Sequence, residues 1–230
     1  MSLLELDQVT RTYDMGHVQV HALRGVSIAI AAGEFVAIVG PSGSGKSTMM
    51  GILGCLDRPT SGVYTLDGTV VSALADDALA RIRSRTIGFV FQSYNLIPRT
   101  TALDNVATPL LYQGVGRRER QARASAALER LGLGDRLRHE PTELSGGEQQ
   151  RVAVARAIVT DPAVVLADEP TGNLATHQGL EVLEVFKGLH ATGRTIVLIT
   201  HDPNVAAVAD RQVRLLDGEV AGQVDGRLAA

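Results

Sequence analysis

The run Gly40-Pro41-Ser42-Gly43-Ser44-Gly45-Lys46-Ser47-Thr48 has the makings of an anion cradle. Its glycines let successive backbone N–H groups wrap around phosphate oxygens. A helix beginning near Lys46 points the positive end of its dipole at the same anion. Lys46 is placed to reach β- and γ-phosphates, and the Ser47 hydroxyl to bind Mg²⁺. Such chemistry needs a carboxylate for the metal and a base for water. The run Val164-Val165-Leu166-Ala167-Asp168-Glu169 ends in both. Asp168 is expected to hold Mg²⁺ through water, and Glu169 to orient or deprotonate the attacking water.

These residues need strands that deliver them to one place. Glu34 to Val39 is an apolar run that stops at Gly40, the pattern of a strand buried on both faces. Residues 46–56 look helical. Further strands are expected at Leu3–Thr12, Val26–Ile30, Gly62–Asp67, Ile87–Phe91, Ala163–Ala167, Thr195–Ile199 and Gln212–Leu216, the last closed by an Asp67-Gly68-like turn at Asp217-Gly218. Asp76 and Asp77 open a helix through Arg85. From Ala102 to Ala157 the periodicity is mostly helical, broken around Gly132 and Pro141. Short apolar strands alternating with helices predict an α/β fold with a largely parallel core.

Composition narrows the function. The chain has 230 residues, 45% hydrophobic and 20% charged, which suits one globular domain with a sizeable core. Aromatic residues are only 3%, which argues against an aromatic-lined nucleic-acid or carbohydrate surface. With 22 basic against 25 acidic residues, the net charge of −3 argues against a nucleic-acid partner. Only Lys46 and Lys187 among the basic residues are lysines, so a lysine inside the glycine-rich loop is informative. Cys55 stands alone and reads as a small buried hydrophobe. No secretory signal or membrane-spanning stretch is seen, and a cytoplasmic compartment is expected.

Leu144-Ser145-Gly146-Gly147-Glu148-Gln149-Gln150-Arg151 resembles the signature motif of the ATP-binding cassette (ABC) superfamily. The resemblance extends over essentially the whole chain. Tyr13 resembles the aromatic that stacks on adenine. Gln92, in Phe91-Gln92-Ser93, resembles the loop glutamine that contacts the metal and the transmembrane partner. Asp168 and Glu169 resemble the acidic pair, and His201, in Ile199-Thr200-His201-Asp202, the histidine that contacts the γ-phosphate. The resemblance implies ATP and Mg²⁺ as ligands. It implies a P-loop NTPase (RecA-like) core, formed by residues 1–91 and 160–230 with an N-terminal antiparallel β subdomain, and an inserted α-helical subdomain over 92–159. It also implies a head-to-tail dimer, homomeric or heteromeric. In it, Ser145, Gly146 and Gly147 of one chain read the γ-phosphate held by the loop Gly40, Ser42, Gly43, Ser44, Gly45, Lys46, Ser47 and Thr48 of the other. The residues support this independently, because Ser145-Gly146-Gly147 stands before the helical run Glu148 to Val159 and makes a second anion-binding terminus. The remaining histidines, His17, His21, His139, His177 and His190, have no metal-ligand spacing and read as surface or structural.

Phe91 to Val106 and Ile52 to Gly62 resemble the macrolide-export and lipoprotein-release branch of the superfamily, which also includes cell-division ATPases. That implies a separate membrane permease, engaged through a groove near Gln92 to Arg99, and a place at the inner face of the plasma membrane. A nucleotide-gated signalling or force-transmitting module on a membrane complex uses the same residues and stays open. DNA-acting relatives need long insertions that do not fit here, and translation factors need two cassettes. One departure stands out: the family usually has Asp where Ala175 lies, in a loop that couples the two nucleotide sites. Ala175→Asp is expected to raise the steady-state ATPase rate or its Hill coefficient; no change in either refutes a coupling role for this position.

Overall fold

A computed structural model describes residues 2–16 and 18–225; His17 lies outside the described residues. Along the chain come β1 (Ser2–Asp14), β2 (Gln19–Ala31), β3 (Phe35–Val39), α1 (Lys46–Leu53), β4 (Ser61–Leu66), β5 (Thr69–Val70), α2 (Asp76–Thr86) and β6 (Ile87–Phe91). Then follow α3 (Ala102–Tyr112), α4 (Arg117–Arg130), α5 (Gly146–Ile158), β7 (Val164–Asp168), α6 (Thr176–Ala191), β8 (Thr195–Thr200), α7 (Pro203–Ala206), β9 (Arg211–Leu216) and β10 (Glu219–Asp225). Two short 3₁₀ turns, Gly134–Arg136 and Pro141–Glu143, lie between α4 and α5.

The central sheet runs β10-β9-β3-β8-β7-β6. All its pairings are parallel except the β9–β10 hairpin. A second, antiparallel sheet runs β2-β1-β4-β5. The expected α/β class, with its antiparallel N-terminal sheet and helices, is what the chain forms. Period-two alternation sorts the central strands between two cores. Val36, Ile38, Val164, Leu166, Val197 and Ile199 face the antiparallel sheet and α1. Phe35, Ala37, Val165, Ala167, Ile196 and Leu198 face the side where α6 and α7 pack. A third apolar cluster, with Val106, Ala124, Leu128, Leu144 and Val152, fills the space among α3, α4 and α5.

Several elements differ from the sequence expectation for identifiable reasons. β2 starts at Gln19 rather than Val26, because Gln19, Val20 and His21 are all exposed and buried alternation begins only at Leu23. β1 extends to Asp14 through register shifts that break the period-two pattern. α1 ends at Leu53, not residue 56, because Cys55 takes a left-handed φ of 53°. Cys55 is buried, and burial pushes its thiol up to about 11, as befits an inert core position.

Strand β6 and helix α5 approach closely through Gly88. A Cβ at that position would lie 2.3 Å from the Ala157 carbonyl oxygen, which is backbone and has little room to yield. Gly88→Ala is therefore expected to lower stability by about 2 kcal/mol. Urea unfolding should show a reduced midpoint with an unchanged slope. A midpoint equal to wild type would mean that α5 can lift from the sheet at no cost.

Candidate nucleotide site

The parallel strands β3, β8, β7 and β6 present their carboxyl ends side by side. In register, Val39 pairs with Thr200, Ile199 with Asp168, and Asp168 with Phe91. The loop after β3 therefore lies beside the end of β8, then the Asp168-Glu169 corner, then Gln92. Ligands of open α/β sheets gather at this edge, where loops and helix N-termini converge. A cleft of about 690 Å³ opens there. Pro41, Ser42, Gly43, Gly45, Lys46, Ser47, Thr48, Gln92, Asp168, Glu169 and His201 line it.

The glycine-rich loop has the tight geometry that its composition forecasts. Gly45 has φ of +101°, and a Cβ there would meet the Ala22 carbonyl oxygen at 2.4 Å. The loop can turn into α1 against β2 only with glycine at this position. The Lys46 ammonium donates to the carbonyl oxygens of Gly40 and Pro41, both at 2.8 Å. Gly40 and Ser44 do not line the cleft. Ser44 is buried, its hydroxyl has no hydrogen-bond partner, and its carbonyl accepts from the Gly218 N–H.

Glu169 sits at a left-handed φ of 44°, in the corner just past β7. Its Oε1 lies 2.6 Å from His201 Nδ1 and accepts from the His201 backbone N–H at 3.0 Å; Oε2 accepts from the Thr200 hydroxyl at 3.1 Å. The Glu169 side chain is 15% exposed while His201 is 71% exposed, so the half of the pair that solvent reaches is the imidazole. Asp168 is half-buried. Desolvation, and then the neighbouring Glu169 charge, push its carboxyl above the usual range, while Lys46 pulls it down. Gln92 meets the loop beyond Glu169: Asn173 Nδ2 donates to the Gln92 carbonyl at 3.0 Å. Ser47, Gln92 and Asp168 offer hard oxygen donors to one cleft, a set suited to Mg²⁺.

Two groups of anticipated residues stand apart from the cleft. Tyr13 is not among its lining residues. Its hydroxyl donates to Asp57 Oδ2 at 2.7 Å, and the Arg11 guanidinium lies 4.4 Å over its ring. Ser145, Gly146 and Gly147, at the head of α5, are likewise not among the residues that line the cleft. At that helix head Ser145 and Glu148 form a reciprocal capping box, in which Glu148 Oε2 accepts from the Ser145 N–H at 2.8 Å. That backbone hydrogen bond holds the Glu148 carboxyl below its ordinary range.

The cleft also contains residues the sequence did not flag. Val20, His21 and Ala22 of β2 form one wall. Residue type left His21 as surface or structural. Only the pairing of β2 with β1, together with the contact between Gly45 and Ala22, brings that wall to the loop. Thr200, a second donor to Glu169, is a strand-end threonine with no motif to mark it. Among the described residues, no cluster of His, Cys, Asp and Glu could hold a metal.

Comparison with known proteins gives the family. The ABC transporter family model matches residues 23–172. The chain is 55% identical to an ABC transporter ATP-binding protein of Thermotoga maritima, over 96% of this chain and 94% of that one. It is 53% identical to the macrolide export ATP-binding/permease protein MacB of Hyphomonas neptunium, over 99% of this chain but only 35% of that longer protein. A dimeric structure of the ATP-binding cassette MJ0796 bound to ADP and Pi superposes with a TM-score of 0.90 at 45% identity, covering 97% of this chain and 99% of that one. The chain belongs to the ABC transporter family. Within it, the chain is an ATPase cassette, an enzyme of ATP and Mg²⁺.

Burial and the neighbouring Glu169 charge disfavour the ionised form of Asp168. Asp168→Asn should therefore raise the stability of the nucleotide-free chain at neutral pH by about 1 kcal/mol while abolishing ATP hydrolysis. Thermal unfolding and a phosphate-release assay test the pair. A destabilised variant would show that the carboxylate is a structural support.

Proposed function

We propose that this cassette is the motor subunit of an export machine. Two copies, or this chain and a related one, close head to tail on two ATP molecules and drive a separate membrane permease. The observation that carries this reading is the separation of the two anion-binding termini. One cleft gathers Lys46, Ser47, Asp168, Glu169 and His201, while Ser145, Gly146 and Gly147 lie outside it with a capped helix N-terminus. A single chain thus carries two half-sites in separate places, and the facing copy brings one to the other. The dimeric form of the MJ0796 cassette supports a dimer here.

In this mechanism the loop N–H groups and Lys46 take up the charge of the β- and γ-phosphates. The ammonium has a third N–H donor beyond those on the Gly40 and Pro41 carbonyls to offer the phosphates. Mg²⁺, held by Ser47, Gln92 and Asp168, neutralises charge on the phosphate oxygens when bound. Glu169 accepts a proton from water as the water oxygen bonds to the γ-phosphorus and the bond to the β–γ bridging oxygen breaks. ADP and phosphate result. His201 orients Glu169 before the reaction and, from its exposed position, turns to the γ-phosphate as the site closes. Ser145 and Gly147 of the facing chain complete the anion cradle. Tyr13, backed by Arg11 and Asp57, offers its ring to the adenine beside the wall of Val20 and His21.

The proposed permease contact is the groove between the central sheet and the helical part of the chain, residues 92–159. Phe89, Phe91, Asn95, Pro109 and Arg156 line part of it, with Leu56 and Tyr112 further along. Leu56 and Tyr112 are exposed and line the same groove, an apolar lining suited to a short amphipathic helix of a partner. No helix among the described residues is long and apolar enough to cross a membrane. The proposed place of work is the inner face of the plasma membrane, on a permease chain. The likeness to macrolide export proteins favours export as the direction of work.

Glu169→Gln keeps the size of the side chain and removes the base. The purified variant is expected to retain ATP and run as a dimer on size exclusion, while wild type with ADP runs as a monomer. A variant that stays monomeric with ATP at high protein concentration would refute closure by the cassettes alone.

A further inference from the structure

Helix α5 begins at the signature residues and, ten residues later, passes under the loop that follows Gln92. Arg156 makes the contact. One guanidinium nitrogen donates to the Asn95 carbonyl at 2.6 Å and another to the Tyr94 carbonyl at 2.8 Å. Both acceptors belong to residues with left-handed backbone, φ 59° at Tyr94 and 48° at Asn95. Two consecutive non-glycine residues in that region are strained and persist only where the surroundings hold them. The planar fork of an arginine suits two adjacent carbonyls. Arg156 forms no ion pair with a carboxylate among the described residues, so these carbonyls are its main polar partners. Burial draws its pKa downward, but an arginine stays protonated.

The turn held in this way reaches two other parts of the machinery. The Tyr94 hydroxyl donates to the Asn173 carbonyl at 3.5 Å, in the loop just past Glu169. It also lies 3.0 Å from where a Cβ on Gly146 would be, at the head of α5. Asn173 in turn holds Gln92. Arg156 therefore grips the loop from the far end of α5, about 15 Å along the helix from the signature residues, while Tyr94 touches the near end.

We propose that Arg156 is a positioning residue that ties the signature helix to the Gln92 loop through the Tyr94-Asn95 turn, so that the two move as one body when the site closes. Arg156 touches no reacting atom. It acts by fixing where Gln92 and Gly146 stand relative to each other. Because Arg156 and Asn95 also line the groove beneath, a segment seated there bears on this tie directly. This inference rests on the reading of the chain as a dimerising ATPase.

The test uses the full chain with Arg156→Lys, Arg156→Met and Tyr94→Phe. Amide hydrogen exchange over residues 93–97 in the nucleotide-free protein is expected to speed up at least about tenfold in Arg156→Met and less in Arg156→Lys. In ATPase assays, Arg156→Met is expected to lower kcat at least about tenfold with KM for ATP within about twofold of wild type, and Arg156→Lys to recover part of that loss. Tyr94→Phe should lower kcat without the exchange change, since it keeps the turn and removes only the hydroxyl. Unchanged exchange in Arg156→Met overturns the tie. So does a parallel loss of melting temperature, KM and kcat, the pattern of a merely structural residue. If wild type itself shows no ATPase activity, the reading of the chain as an ATPase fails, and the exchange result still decides whether Arg156 holds the turn.

Discussion

Two adjacent carboxylates at the end of one buried strand are a costly arrangement, and much of the structure around the cleft serves to hold them there. Asp168 is half-buried next to Glu169, so desolvation and like-charge repulsion both favour its protonation. The Lys46 charge opposes that. Glu169 is held by a different device, three donors from the end of β8 that leave its carboxylate well solvated by hydrogen bonds. Both devices exist only because β3, β8 and β7 are parallel neighbours whose carboxyl ends coincide. The sheet order is thus an electrostatic requirement as well as a topological one.

The close approaches in the fold follow from the same requirement. The glycine-rich loop has to turn directly against β2, which Gly45 permits, and α5 has to lie directly on β6, which Gly88 permits. The first approach builds a wall of the cleft from a strand of the other sheet. The second fixes the signature helix to the central sheet, at the strand that leads into Gln92. In the proposed dimer, placing both helix termini on one body would let a second molecule be recognised by geometry.

Much of the site was legible in the sequence because its chemistry is local. A cradle of glycines with a lysine, or two acids at the end of an apolar run, is confined to a few residues whose types can be read directly. The parallel core was legible for a similar reason, since strands buried on both faces are short and apolar. What was not legible depends on contacts between distant segments. The first half of β2 carries no buried alternation, so its wall of Val20, His21 and Ala22 appears only once β2 pairs with β1. Thr200 is an ordinary strand-end residue until Glu169 turns toward it. Arg156 and Tyr94 meet across 62 positions of sequence, and no pattern in either neighbourhood announces the other. The boundaries of α1 were missed because a left-handed cysteine, not a glycine, ends the turn.

The two carbonyl contacts of Lys46 have a consequence for precision. An ammonium carries three N–H donors, and the Gly40 and Pro41 carbonyls engage two of them. Tethered to its own loop, the long side chain has already given up much of its rotamer freedom. Less entropy is then lost when its third donor meets a phosphate oxygen. The loop presents a charge that is aimed in advance rather than one that must be ordered by what it binds.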